Sequence, residues 1–562
     1  MDQPYPLVVN KYINRLFAGI DALARHRLMS ILVVFLLCFG GSWIWAIIQG
    51  ISFPYHVDEF GYVLSGDTFA HGRLTNPPHP MWVHFETYNV LQHPTYMSKF
   101  PPGQGIFLAI GQVFFGHQIY GVWLSAGLMC AAICWMLYAW VPPPWALLGG
   151  LVAVLQFSVF TYWSQSYWGG AVAGIGGALV FGALPRIFKT QRIRDALWLG
   201  LGCAILANSR PLEGFLVAIP VGCLVLPWKS FFAVIPAKGP HTGHSQLFAG
   251  IHNKFIKKVI LPLSMVLFIT ALLMGAYNKQ ITGKVNVFPY LLFAHTYREV
   301  PLFMWQPLTS PVKFNHKALG LHDKYYLEKN YFDKKTWKGF VEDMQKDSVQ
   351  VSMFFFGYPL AIPSLAILVY LFFLRQTAAR YWLALLVLLG TCAAMTCPMK
   401  AHYFSPLTCL AVLLVTIGLR GLGELKLRNV RVGLVAGVFL IALQLLLNII
   451  LTPHYPVAWS MAETIQSSPI KLQATFTRED LKNILMKRGG KYLVIVKYPL
   501  WHYYFREWVY NDADIDNAPI VWARDMDEGH NKELLEYFRG RQILFISIFW
   551  EKPGGMFYDS RQ

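Results

Sequence analysis

Apolar runs of about 20 residues recur along the first four-fifths or so of the chain, and short polar connections separate them. A run of that length can cross the hydrocarbon core of a membrane as a helix. The pattern predicts about eleven transmembrane helices, at roughly 28–49, 118–140, 145–161, 169–185, 195–209, 213–228, 259–277, 352–374, 381–397, 404–419 and 431–451. No small-residue cleavage site follows the first run, so it predicts a retained span and not a signal peptide.

The composition also favours a polytopic membrane protein. Of the 562 residues, 55% are apolar and 14% are charged, whereas soluble domains carry roughly 25% charged residues. The net charge of +18 fits basic connections in contact with anionic lipid. The expected partner is therefore the lipid bilayer, and no nucleic-acid partner is predicted.

The distribution of basic residues predicts an orientation. Basic clusters fall in the connections on the side that the N-terminus shares, at 11–27, 186–194, 254–258, 375–380 and 420–431. The positive-inside rule assigns that side to the cytoplasm. Three large segments then lie on the opposite side: 50–117, 278–351 and the tail 452–562.

The tail has a mixed pattern that differs from the rest of the chain. Thr477 is typical of a helix N-cap, and the pattern predicts a short helix at 531–538. It also predicts three strands, at 492–497, 519–523 and 542–550. We therefore expect a membrane module, 1–451, followed by a small extracytoplasmic α/β domain, 452–562. The cysteines all fall in predicted spans, so no disulfide framework is expected: 38, 130, 134, 203, 223, 392, 397 and 409.

Two adjacent carboxylates, Asp58 and Glu59, follow the first predicted span in what reads as a loop, 54–62. The neighbouring His56 and three aromatic residues make a partly dry environment. A carboxylate there has a raised proton affinity and can act as a general base. The alternative is a solvated pair without a chemical role.

Two basic residues are candidates for binding a phosphate group near the membrane surface. Lys99 precedes two prolines, which stiffen the chain around it, and Arg210 lies in the short connection 208–214. The planar guanidinium of Arg210 suits a lipid phosphate. The alternatives are a Lys99 that reaches toward lipid head groups and an Arg210 that pairs with Glu213.

Further candidates lie at other external positions. Tyr167 and Trp168 are suited to stacking on a sugar ring, although aromatic residues are also common at membrane interfaces. His402 and Tyr403 begin the outer end of a predicted span. Glu86 lies in segment 50–117 among four histidines whose imidazoles could hold a divalent metal ion beside it or beside Asp58: His71, His79, His84 and His93.

The order of these features resembles a known family. A first span, an external Asp-Glu, and Lys-x-Pro-Pro before a short apolar run at 106–115 are similar to the membrane-embedded GT-C glycosyltransferases. Within them the chain looks most like the protein O-mannosyltransferase and lipid A aminoarabinose transferase type. The resemblance is best through about residue 230, and the tail resembles the extracytoplasmic domain of bacterial members.

The resemblance implies a function. Such enzymes take a sugar from a polyprenyl-phosphate donor and pass it, with inversion, to a glycan, lipid or protein acceptor at the outer face of the membrane. Asp58, with Glu59 beside it, would be the base, and Lys99 would contact the donor phosphate. The expected location is the bacterial inner membrane. The sequence departs from the family in one respect. Many relatives carry a second acid in the next external loop, but 161–170 contains none, and Glu86 or Glu213 would have to take its place.

The main alternative is a transporter or flippase for a lipid-linked or polar solute. That function favours charges in the middle of spans and broken helices in paired halves. Here the charges collect at the outer edge, and no internal repeat is evident. A binding or assembly protein that works through its tail is a third possibility.

Overall fold

The structure of the chain is a computed structural model. It describes residues 18–225, 253–309, 314–316, 319–320, 328–373, 401–426, 432–451, 477–499 and 507–548. The predicted span at 381–397, with Cys392 and Cys397, lies outside these residues.

Most of the described residues are helical, as the apolar pattern predicts. The α-helices are Arg27–Gln49, Val57–Ala70, Pro102–Phe115, Ile119–Leu137, Pro143–Phe157, Tyr162–Gln165, Gly170–Thr190, Ile193–Ala207, Pro211–Val225, Leu261–Thr282, Pro289–Tyr297, Glu328–Lys335, Trp337–Phe373, Thr408–Gly423, Val432–Leu451, Arg478–Arg488 and Glu528–Tyr537. Trp82–Phe85 and Ala401–Leu407 are 3₁₀-helices, and Ile256–Ile260 is a π-helical turn.

Among the described residues, seven helical stretches are long and apolar enough to cross a membrane: Arg27–Gln49, Ile119–Leu137, Gly170–Thr190, Asn253–Thr282, Trp337–Ala366, Ala401–Gly423 and Val432–Ile450. Three other predicted spans are helices of 15 residues, Pro143–Phe157, Ile193–Ala207 and Pro211–Val225. At about 1.5 Å per residue these are shorter than a hydrocarbon core of about 30 Å. The helical class and the membrane character are supported, and the count of eleven stays a prediction.

The helices pack closely where small residues allow it. The Gly170–Thr190 helix is buried along most of its length. A Cβ atom at Gly177 would lie 1.8 Å from the carbonyl oxygen of Pro406, so only glycine permits this approach. Helices in membranes associate through such small-residue contacts. This contact brings the 3₁₀-helix Ala401–Leu407 against the centre of the bundle.

Segment 50–117, which we call the first external segment after its predicted side of the membrane, is more ordered than the sequence suggested. The prediction that Asp58 and Glu59 lie in a loop is wrong, because both belong to the first turn of the Val57–Ala70 helix. A short antiparallel hairpin pairs Val90–Leu91 with Met97–Ser98. The short apolar run predicted at 106–115 is a helix that already begins at Pro102, where a proline is well tolerated.

The described part of the tail has the predicted α/β character. Its helix Arg478–Arg488 is capped by Thr477, as predicted. Three parallel strands follow, with Tyr492–Lys497 between Ile520–Arg524 and Gln542–Ser547. One face of this sheet shares a buried apolar cluster with the first external segment, in which Val57, Phe60, Leu64, Leu493, Ile495 and Val521 take part.

Candidate active site around Asp58

The start of the Val57–Ala70 helix is fixed by a reciprocal pair of capping hydrogen bonds. Nδ1 of His56 accepts from the backbone N–H of Asp58 at 3.1 Å. In return, Oε1 of Glu59 accepts from the backbone N–H of His56 at 3.0 Å. This is the geometry of a capping box, with histidine in the place of the usual serine or threonine. The helix therefore holds Asp58 in its first turn.

The Asp58 carboxylate is both oriented and accessible. Its Oδ1 accepts a hydrogen bond of 2.6 Å from Nδ2 of Asn89, and 31% of the side chain is exposed. Asn89 has a φ of 65°, which asparagine tolerates better than most residues. Its carbonyl oxygen accepts from the N–H of Lys99. The hairpin therefore supplies the residue that orients Asp58.

The neighbouring Glu59 has a different environment. Its side chain is buried, and Oε2 accepts from the backbone N–H of Tyr167 at 3.0 Å. Oε1 also receives the N–H of Tyr55 at 3.4 Å. Burial raises the pKa of Glu59 to about 7, although these hydrogen bonds oppose the shift. Glu59 thus connects the helix start to the Tyr167 turn, and only Asp58 of the pair is accessible.

A series of aromatic rings extends from the helix start. The His56 and Trp168 rings meet edge to face at 4.9 Å, and Trp168 lies 4.7 Å from His402. The His402 and Tyr403 rings are 5.0 Å apart. Cζ of Arg210 lies 5.0 Å from the Tyr403 ring centre. The predicted residues Trp168, His402, Tyr403 and Arg210 are therefore neighbours in one continuous series.

The buried Tyr62 hydroxyl lies within electrostatic range of both Asp58 and Arg210, the last residue of this series. The charges of Arg210, Asp58 and Glu213 all act on the hydroxyl of Tyr62. Burial is the main reason that the pKa of Tyr62 rises to about 12. Nη1 of Arg210 lies 3.7 Å from Oε1 of Glu213, as one of the two interpretations of Arg210 predicted. Asp58, Arg210 and Glu213 therefore all lie within electrostatic range of the Tyr62 hydroxyl.

The Lys99 segment meets the Arg210 connection directly. The N–H of Gly103 donates to the carbonyl oxygen of Asn208 at 2.8 Å. A Cβ atom at Gly103 would lie 2.8 Å from that same oxygen. Glycine after the two prolines is thus required for the approach. The two sequence motifs that carry the basic candidates pack against each other.

Lys99 itself is enclosed by aromatic rings. Its Nζ lies 5.1 Å from the ring centre of Phe100, 5.1 Å from Tyr290 and 4.8 Å from Phe293. The side chain is buried, with 3% of the residue exposed. The last two rings belong to the Pro289–Tyr297 helix of the second external segment. An ammonium group is stabilised by such rings, and Arg210 is the more exposed of the two cations.

Glu86 has partners away from this cluster. Its Oε2 accepts from the backbone N–H of Asn315 at 3.0 Å, and its carbonyl oxygen accepts from Nε of Arg524. Burial raises the pKa of Glu86. Glu86 therefore belongs to the junction of the first external segment with the tail.

The histidines of the first external segment are dispersed. His79 contacts Asp516 at 3.1 Å, His71 contacts Asp67, and both ring nitrogens of His84 face backbone carbonyl oxygens of the tail. Across the described ranges, His, Cys, Asp and Glu side chains form no group of three that could hold a metal ion. The residues considered for a metal site therefore do not converge there.

Sequence reasoning missed the roles of three residues of the site. His56 is spaced three residues before Glu59, as a capping box requires, and that spacing was a usable signal. Asn89 acts through a backbone conformation that the sequence does not reveal. Tyr290 is more than 180 residues beyond Lys99, so only the tertiary fold brings its ring to the ammonium group.

Comparisons with known proteins give little further information. No protein-family model matches the sequence, and no curated protein matches it. A search of solved structures finds the Archaeoglobus fulgidus oligosaccharyltransferase in its apo form, with a TM-score of 0.39 and 12% identity. The match covers 84% of this chain and 62% of that one. A likeness at this level leaves function to be inferred from the chain's own residues.

Proposed function

We propose that this chain is a membrane-embedded glycosyltransferase of the GT-C type. It moves a sugar from a polyprenyl-phosphate donor to an acceptor at the outer face of the membrane. The observation that carries the proposal is the environment of Asp58. An oriented and accessible carboxylate lies within electrostatic range of the Tyr62 hydroxyl, and so does the Arg210 guanidinium, which contacts the last ring of the aromatic series.

The chemistry of the cluster matches the needs of this reaction. Asp58 takes the proton of the acceptor's nucleophilic group as that group bonds to the anomeric carbon. The bond from this carbon to the phosphate oxygen breaks, and the electron pair leaves with the polyprenyl phosphate. Arg210 stabilises the negative charge that develops on the phosphate. In-line attack inverts the anomeric configuration.

The surrounding residues take supporting roles in the proposal. Glu59 and Asn89 are positioning residues, because one fixes the helix start and the other fixes the carboxylate. Trp168 and the adjacent Tyr167 are 8% and 2% exposed, so in the proposal they support the residues around the sugar and offer it little open surface. Lys99, whose ammonium group is enclosed by the rings of Phe100, Tyr290 and Phe293, contributes positive charge to the region that binds the donor phosphate. Glu86, in contrast, stabilises the junction with the tail.

The proposal is tested by comparing cell-envelope lipids, glycans and proteins with and without the chain. Mass spectrometry should find one acceptor that lacks a single sugar when the chain is absent. The purified chain should then restore that sugar from a polyprenyl-phosphate donor, with inverted anomeric configuration. If every acceptor keeps its sugar in the absence of the chain, and a solute no longer crosses the membrane, the result would instead support a transporter.

A further inference from the structure

Gln104 is a buried polar residue in the first turn of the Pro102–Phe115 helix. Only 1% of it is exposed. Its Nε2 donates to the carbonyl oxygen of Tyr167 at 3.2 Å. Because a carbonyl oxygen only accepts, the amide must present its nitrogen there. Gln104 therefore holds the same turn that Glu59 contacts.

The other polar atom of this amide is an acceptor. Oε1 of Gln104 is buried and has no hydrogen-bond partner among the residues that the structure describes. A buried acceptor without a donor is unfavourable, and natural proteins seldom retain one. A methionine of similar length would avoid this cost but could not donate a hydrogen bond. The contribution of Gln104 therefore lies in its N–H donor to Tyr167.

The backbone of Tyr167 is held on both sides of its Cα atom. Oε2 of Glu59 accepts from its N–H at 3.0 Å, while Gln104 donates to its carbonyl oxygen. The turn also lies directly against the Gln104 side chain, since a Cβ atom at Gly169 would lie 3.1 Å from Cβ of Gln104. The Tyr167 turn therefore links the start of one helix, at Glu59, to the start of another, at Gln104.

The hydrogen bonds continue from this turn to Asp58. Glu59 accepts from Tyr167 with one carboxylate oxygen and from the N–H of His56 with the other. Nδ1 of His56 in turn accepts from the N–H of Asp58 at 3.1 Å. A continuous series of hydrogen bonds thus runs from the Gln104 amide to the backbone of Asp58. Most of it is buried, where a hydrogen bond is electrostatically stronger than in water.

The preceding residue, Gly103, extends the connection to Arg210. Its N–H donates to the carbonyl oxygen of Asn208 at 2.8 Å, two residues before Arg210. Two consecutive residues at one helix start therefore contact the Tyr167 turn and the connection that carries Arg210. The position of Asp58 relative to Arg210 depends on this helix start.

We propose that Gln104 is a positioning residue for Asp58. It acts through the Tyr167 turn and Glu59, and it fixes where the carboxylate lies relative to the Arg210 guanidinium. This role presupposes the glycosyl transfer proposed above, with Asp58 as the base. Gln104 is too deeply buried to touch the substrate. Its loss should therefore lower kcat and leave the donor KM nearly unchanged, because the groups that bind the donor remain.

The test uses the full chain in phosphatidylcholine nanodiscs, with a polyprenyl-phosphate sugar donor and the acceptor found in the envelope comparison. Gln104→Met should lower kcat about tenfold without a matching change in the donor KM. Gln112→Met is the matched control. It lies on the same helix and also loses one amide hydrogen bond, to Asp67, which is not part of the series. It should transfer sugar as the wild type does.

A double variant tests whether Gln104 acts through Glu59. Residues of one hydrogen-bonded series have non-additive effects, whereas independent residues have additive ones. Gln104→Met combined with Glu59→Gln should therefore lose little more kcat than Glu59→Gln alone. Additive losses would overturn the proposal. So would a raised donor KM with a wild-type kcat in Gln104→Met, which would indicate a contact with the substrate.

Hydrogen–deuterium exchange provides a readout that does not depend on activity. The amide protons of His56, Asp58 and Tyr167 form bonds of the series. Peptides that contain them should exchange faster in Gln104→Met than in the wild type or in Gln112→Met. Unchanged exchange, or an unchanged kcat, in a folded Gln104→Met protein would overturn the proposal. If the wild type transfers no sugar, the proposed function fails, and exchange alone then decides whether Gln104 holds this helix start.

Discussion

Asn89 connects the two best sequence candidates, because its side chain donates to Oδ1 of Asp58 at 2.6 Å while its carbonyl oxygen accepts from the N–H of Lys99 at 3.1 Å. One residue of the hairpin therefore fixes the carboxylate relative to the basic segment. If Asp58 is the base, its orientation controls how well it reaches the acceptor proton.

The first prediction concerns that hydrogen bond. Asn89→Gly removes the side-chain amide but tolerates the φ of 65°, so kcat should fall about 10- to 100-fold with little loss of stability. Asn89→Ala should lose the same activity and, in addition, about 1 kcal/mol of stability from backbone strain. Steady-state kinetics and thermal unfolding measure the two effects. Wild-type kcat in the glycine variant would show that Asn89 does not position Asp58.

The second prediction concerns the pH dependence of stability at Glu59. Burial raises its folded-state pKa from 4.5 to about 7, so the folded chain holds this proton more tightly than the unfolded chain. Its contribution therefore favours folding at low pH and is lost as the pH rises from about 4.5 to about 7, by about 3 kcal/mol in total.

Glu59→Gln removes that titration and tests its sign. Glutamine keeps one acceptor oxygen but places an NH₂ group against one of the backbone donors, so the variant should be less stable overall. The measurement is Tm at pH 5 and at pH 7.5 for both proteins. The wild type should lose more Tm than the variant over this interval, and an equal change in both would contradict the assignment.

The third prediction compares the two cations. Arg210 is the more exposed one, and its charge, like that of Asp58, acts on the Tyr62 hydroxyl, so Arg210→Ala should raise the donor KM about tenfold or more. Arg210→Lys should recover only part of this, because lysine lacks the planar fork. Lys99→Ala should have the smaller effect on KM, since rings surround its ammonium group. A larger effect at Lys99 would reverse their roles.

The fourth prediction concerns the attachment of the tail. Tyr510, in the tail, stacks on Phe60 with ring centres 4.2 Å apart. Phe60 follows Glu59 directly in the sequence. Tyr510→Ala should cost about 3–5 kcal/mol of stability and expose the tail to limited proteolysis. Tyr510→Phe keeps the stack and loses only the 3.4 Å hydrogen bond from its hydroxyl to the carbonyl oxygen of Tyr88, so it should cost about 1 kcal/mol and leave the tail protected. If the alanine variant leaves both proteolysis and transfer unchanged, the tail does not support the site.

The helical class and much of the tail could be predicted because each depends on local patterns. The strand at 492–497 is a continuous apolar run, and Thr477 precedes an acid at the capping distance, so neighbours in sequence decide both. The first external segment was harder. Its helix at Val57–Ala70 has mixed polarity, and tertiary contacts to Tyr167 and to the tail stabilise it.

The same distinction applies to the candidate site. Residue types identified Asp58, Trp168, Arg210 and Tyr403 as chemically suitable, and the structure brings them together. The sequence could not show which of Asp58 and Glu59 is accessible, because that depends on how deeply the fold buries each side chain. Glu86 was a secondary candidate as another acid of the same predicted segment, yet its partners are Asn315 and Arg524.

The most direct test of the central claim is glycosyl transfer by Asp58→Asn, measured with a polyprenyl-phosphate sugar donor and the acceptor found in the envelope comparison. Asparagine can keep an oxygen toward Asn89 but cannot accept the acceptor proton. Asp514→Asn, in the tail, is the control and should be fully active. We expect Asp58→Asn to fold normally and to lose at least about 100-fold in kcat. Transfer at the wild-type rate by a correctly folded Asp58→Asn protein would contradict the assignment of Asp58 as the base.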